Sequence, residues 1–124
     1  MADYRPFSEP RFYGDASAHG EPKSNTSVED SDAKFLDDLE DTFNELYRLL
    51  VSKHEDYGPT NISKSPGGPI NGLRVRMWDK FARINNLVDS GLGPKHESLE
   101  DSFKDMANYA IIGLLVLRGH WPND

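Results

Sequence analysis

A chain of 124 residues makes one domain with a modest core, and 21 acids against 14 bases leave a net charge of −7, which argues against neutralising the phosphates of a duplex. The absence of cysteine excludes disulfides and thiolate metal sites and suits a reducing cytoplasm. The start, MADYRPFSEP, lacks the apolar stretch of a secretory signal, and the longest uncharged apolar run, Met106 to Leu117, is too short to span a bilayer, so the expectation is a cytoplasmic protein with no membrane partner.

The hydrophobic content, 36%, is low for a compact chain, and the deficit lies in the first thirty residues. Residues 1–27 are rich in Pro, Gly, Ser and charge without periodicity, the composition of a flexible tail. Tyr4, Phe7, Phe12 and Tyr13 leave room for a second reading, an arm that folds over a partner subunit or a pocket. A helical domain is expected over 28–124.

The first helix is predicted from Val28 or Ser31 to Tyr57, with Thr26-x-x-Glu29 as a capping box. Phe35, Leu39, Phe43, Leu46, Leu50, His54 and Tyr57 recur at three- and four-residue steps and make one apolar face. Gly58-Pro59 ends it. Residues 58–72, with three prolines and four glycines, read as one long loop without a regular element. A second helix is expected over Leu73–Asp89, with Leu73, Met77, Phe81, Ile84 and Val88 inward. Ser90-Gly91-Leu92-Gly93-Pro94 breaks it. The third helix runs from Ser98 to Arg118, where Gly119 and Pro122 stop it. It is apolar nearly all round, more than two neighbours can cover, so a homo-oligomer is expected. The fold class is all-α: a small bundle of three main helices, with room for short ones.

Four groups of residues are placed to carry chemistry. At ~100° per residue Asp101, Asp105 and Asn108 project within a narrow sector of the third helix. Asp101 has a bland explanation as a first-turn acid after Ser98. Asp105 and Asn108 lie where the helix turns apolar, and a buried carboxylate demands a partner. Two readings stay open: a shared Mg²⁺, or an ion pair with Arg83 or Arg76. The second group, Lys53-His54-Glu55-Asp56-Tyr57-Gly58, puts two acids at the negative end of a helix dipole, against the local rule. His54 lies on the apolar stripe and reads as a core histidine. The third, Arg74, Arg76, Asp79, Lys80 and Arg83, is either a solvated face or a phosphate-binding one. The fourth, the loop 63–69, either closes over a ligand or merely connects. GGPING lacks the Gly-Lys-Ser/Thr ending of a Walker A loop.

Three segments in order, Lys53 to Gly58, Arg76 to Ile84 and Glu97 to Ala110, resemble the nucleotide modification associated domain, type 1, a helical family of phages and bacteria. Its pattern is K-N-x-D-Y-G, then D-K-x-x-R, then E-S-x-x-D-x-x-x-D-x-x-N-Y, and His54 stands here where the pattern has asparagine. That family is similar in turn to MazG-type nucleoside triphosphate pyrophosphatases, whose Mg²⁺ is held by helix-borne acids. The resemblance implies Asp101 and Asp105 as metal ligands, Asp56 or Glu55 completing the set, and Asp56, Asp101 and Asp105 as the catalytic acids. It implies Lys53, Lys80 and Arg83 on phosphates, Tyr57 and Asn108 as further substrate contacts, and Mg²⁺, or Mn²⁺, as cofactor. The location would be the host cytoplasm for a phage-encoded chain. The Glu-Glu-x-x-Glu signature of MazG proteins has only a loose echo in Asp37-Asp38-Leu39-Glu40-Asp41.

The expected function is Mg²⁺-dependent pyrophosphohydrolysis of a nucleoside triphosphate. Its rivals are non-catalytic binding of a nucleotide or signalling nucleotide in a modification or counter-defence role, and a structural helical oligomer. The partner is a nucleotide or other phosphorylated small molecule.

Overall fold

The computed structural model describes residues 26–91 and 96–124, with the side chains of 28–91 and 99–124. The expected tail or arm lies outside them apart from the helical residues 26 and 27. The described residues form four helices and no strand: α1 Thr26–Tyr57, α2 Thr60–Ser63, α3 Pro69–Asp89 and α4 His96–Leu117. The all-α expectation holds, and no helix among the described residues is long and apolar enough to cross a membrane.

The helix ends follow local signals. Gly58, at φ 66°, takes the left-handed conformation and donates its N–H to the His54 carbonyl at 2.8 Å, which closes α1 where expected. Gly119, at φ 71°, does the same for α4, and His120 N–H reaches the Leu115 carbonyl at 2.8 Å.

Three starts differ from expectation. α1 begins at Thr26, ahead of Val28 and Ser31, which sets Thr26 inside the helix instead of at its cap. The stretch 58–72 is not one loop: it holds the single turn α2, and α3 begins at Pro69, four residues ahead of Leu73. Pro69 occupies the first turn, where a missing N–H costs nothing and a fixed φ favours the helix, so Gly-Gly-Pro starts α3 rather than interrupting it. α4 begins at His96, which sets Ser98 inside the helix instead of at its cap and Asp101 in the second turn, beyond the first-turn dipole effect.

The chain divides into two compact units, Met1–Leu39 and Glu40–Asp124. In the first, every described side chain is exposed, Phe35, Leu36 and Leu39 among them, and Lys34 pairs with Asp38 at 2.7 Å along the helix.

In the second unit α3 and α4 pack together, and α2 lies on α3. The core is small: Ile62 from α2, Leu73 from α3 and Ile112 from α4, with Leu50, Tyr109, Val116 and Trp121 packed against them. Gly72 permits a close approach. A Cβ there would stand 2.6 Å from the Ser65 Cβ and 2.9 Å from Arg76 Nη1, so only glycine lets the 64–68 turn lie on α3. From α1, Leu46, Leu50 and His54 are half-buried while Phe43 and Tyr57 are exposed, so the expected apolar stripe is covered only in its middle. On α3, Leu73 and Ile84 are buried as expected, but Phe81 and Val88 are exposed. α4 is fastened to α1 by Lys104 to Glu45 at 2.6 Å and by Asn108 Nδ2 to the Leu46 carbonyl at 3.2 Å.

Candidate functional site

A cavity of about 370 Å³ opens in the second unit, lined from the last turns of α1, from α2, α3 and α4, and from the segment after α4. Three cationic side chains, Lys53, Arg76 and Lys80, line it against one carboxylate, Asp105. That local balance is the reverse of the chain's net charge of −7.

Helix geometry explains the convergence. Lys53 sits one turn before the end of α1, Lys80 is a turn beyond Arg76 on α3, and Asp105 is in the third turn of α4. Lys53 Nζ meets one Asp105 oxygen at 2.8 Å and Lys80 Nζ meets the other at 3.0 Å. The Asp105 side chain is 15% exposed, Lys80 25% and Lys53 49%, so the carboxylate lies deepest and the lysines face the opening to different degrees. Burial alone would raise the Asp105 carboxyl. The hydrogen bonds and charges of Lys53 and Lys80 outweigh it and hold the group below the ordinary carboxylate value. The bond to Asp105 in turn holds Lys53 above the ordinary lysine value despite its partial burial.

Arg76 is fixed separately. It donates to the Asn61 carbonyl at 3.0 Å and, at the limit of hydrogen-bonding range, to Ser65 Oγ at 3.4 Å. The ion-pair reading of Asp105 is thus correct in kind but not in partner. The cations are Lys53 and Lys80, while Arg76 braces the α2 turn and Arg83 is exposed.

Asn108, 6% exposed, lies one turn beyond Asp105 and lines the same cavity. Its Nδ2 donates to the Leu46 carbonyl, which can only accept, so the orientation of the amide is set and Oδ1 is left without a partner. His54 Nδ1 is likewise buried without a partner. Its ring stands 5.2 Å from that of Trp121 at an interplanar angle of 76°, and Trp121 Nε1 donates to the Pro59 carbonyl at 3.1 Å.

Of the residues singled out in the sequence, Lys53, Tyr57, Lys80, Asp105 and Asn108 line this cavity. Glu55, Asp56, Asp101 and Arg83 are exposed and stand outside its lining. Among the described residues no three His, Cys, Asp or Glu side chains form a group that could hold a metal ion. As placed, the side chains supply one carboxylate for a divalent cation rather than a complete cage.

The lining also includes residues that sequence reasoning passed over or read otherwise. His54 was expected in the core, and Tyr109 and Trp121 carried no expectation as site residues. Tyr109 follows Asn108 directly in the quoted pattern. Trp121 had one available signal, a large aromatic two residues after a glycine stop, the place where chains often fold back on the helix they have left.

A second, larger cleft of about 570 Å³ is lined by Asn71, Arg74, Val75, Met77, Trp78, Phe81 and Met106. It contains no acid and a single cation, Arg74.

Residues 53–117 match the family described as nucleotide modification associated domain 1. No curated protein and no solved structure matches the chain. The matched span holds Lys53, Arg76, Lys80, Asp105 and Asn108 and ends before Trp121.

Proposed function

Because that match covers more than half of its length, the chain belongs to the nucleotide modification associated domain 1 family, and from this premise we propose that the cavity binds the phosphates of a nucleotide. One observation carries the reading: two lysines from different helices converge on one carboxylate, with an arginine on the same lining, in a chain that is otherwise acidic. Asp105 holds the two ammonium groups apart and in place before any ligand arrives, so little ordering is left to do on binding. A phosphate oxygen then shares or takes over the lysine donors through charge-assisted hydrogen bonds.

Titration with ATP, GTP, CTP, dTTP and inorganic tripolyphosphate, followed by thermal shift and calorimetry, tests the reading. Stabilisation by at least one of them is expected, and none by a neutral nucleoside. No stabilisation by any of the five would refute it.

Hydrolysis is the second reading, favoured by the ionised acid within the cavity. Mg²⁺ carried in on the phosphates needs only one or two protein carboxylates, and Asp105 is the residue that would hold it, polarising the phosphate and activating water. Replacement of Asp105 by alanine separates the two readings. A pyrophosphatase releases pyrophosphate and loses that release with Asp105, whereas a protein that only binds releases none with or without it. Self-association through the exposed apolar side chains of α1 and α3 belongs to the same proposal, and sedimentation of the purified chain tests it.

A further inference from the structure

We propose that Trp121, paired with His54, is the wall of the cavity that receives the planar base, and so sets which phosphorylated compounds this chain accepts. The inference rests on the nucleotide reading above and names the part of the ligand that the lysines cannot recognise.

Trp121 lies beyond the end of α4, in a segment that the Gly119 turn directs back over the helix. That segment is anchored on the residues around α2: the indole N–H donates to the Pro59 carbonyl, and Ser63 Oγ donates to the Asn123 carbonyl at 3.1 Å. Lys64 approaches Asp124 at 3.8 Å. With its one donor engaged by Pro59, the indole has only its ring to offer a ligand, and a held aromatic ring recognises a planar base by stacking. His54 stands nearly perpendicular to it and fixes its lateral position. Both rings line the cavity that holds Lys53, Lys80 and Asp105, and Tyr57 and Tyr109 extend the aromatic part of the lining.

His54 lies inside the family match, and Trp121 lies past residue 117, where the match ends. The lysines and Asp105 lie inside the match. The phosphate-binding groups thus fall within the matched span, and the Trp121 wall falls outside it.

The test compares nucleoside triphosphates with inorganic tripolyphosphate, which has no base. In a Trp78→Phe protein Trp121 is the only indole, and saturating nucleotide is expected to quench its fluorescence while tripolyphosphate does not. Trp121→Ala should weaken nucleoside triphosphate binding by about tenfold, the range of one base–aromatic stack. It should leave tripolyphosphate binding unchanged. His54→Asn should give a smaller loss with the same selectivity. Trp121→Phe keeps a ring for packing, so it reports on the wall even if the alanine variant does not fold. Equal losses for nucleotide and tripolyphosphate would make Trp121 a structural residue and overturn the inference, as would quenching by tripolyphosphate alone. If nucleotide and tripolyphosphate both fail to bind the unaltered chain, the nucleotide reading itself falls and takes this one with it.

Discussion

Helix α3 borders two clefts made of opposite material. Arg76 and Lys80, one turn apart, face the smaller cavity with Lys53 and Asp105. Arg74, Val75, Trp78 and Phe81, rotated about the same axis, line the larger groove, where the Trp78 and Phe81 rings pack edge to face at 6.3 Å. By volume the groove ranks above the cavity, about 570 against 370 Å³. By chemistry the order reverses. The groove offers apolar surface and one arginine, while the cavity gathers opposed charges, two polar atoms without partners, and an aromatic wall. Space alone does not make a site for a charged ligand; converging groups with a local field do.

The comparison can be broken most directly at the lysines. Replacing both Lys53 and Lys80 with alanine should remove about 3 kcal/mol of phosphate binding, more than a hundredfold in affinity, since each charge-assisted hydrogen bond contributes about 1.5–3 kcal/mol. Trp78→Ser, in the groove, should leave binding untouched. Calorimetry with tripolyphosphate measures both, and a reversed result would transfer the site from one cleft to the other.

Next in size is the scaffold beneath the cavity. Gly72→Ala forces a methyl group against Ser65 and Arg76, and overpacking of this kind costs about 1–3 kcal/mol. Urea denaturation should show the loss. Weaker ligand binding should accompany it, because Arg76 is displaced from Asn61. A neutral Gly72→Ala would mean that the 64–68 turn moves without strain.

Smallest is the ion pair itself. Asp105→Asn should cost about 1 kcal/mol at pH 7, the figure being discounted because Lys53 is half exposed. The sign with pH is set by the two shifts. The Asp105 value is depressed on folding, so its contribution is present above the ordinary carboxylate value and disappears as pH falls through the folded one. The Lys53 value is raised, so its contribution holds below the ordinary lysine value and is lost as pH rises through the folded one. The stability gap between the native chain and the variant should therefore persist from about pH 4 to about pH 10 and close below about pH 4. A gap still present in stronger acid would assign the loss to packing rather than charge.

The site was partly legible beforehand because this chain carries the motif residues of the resemblance in order. Lys53, Lys80, Asp105 and Asn108 could be picked out that way, and all four line one cavity. The same pattern placed Asp101 beside Asp105 as an equal, yet one turn of helix separates an exposed carboxylate from one that is 15% exposed. Helical spacing gives the sector in which a side chain projects, not how far along the helix its neighbours extend.

What the sequence determined by itself is what local physics controls. Helical periodicity pointed to helices, and the described residues hold no strand. Gly58 and Gly119 ended helices where expected, since a left-handed residue stops a helix whatever surrounds it. Pro69 shows the edge of that reach, for the same residue types mark a break or a beginning according to position. The tertiary structure alone decided who meets whom. Lys53 and Asp105 are 52 residues apart, and no local signal ties them; their contact depends on where α1 and α4 approach one another. Trp121 becomes a wall only because its segment turns back onto Pro59. Local rules act over a turn or two of chain, whereas a cavity exists only where separate elements converge.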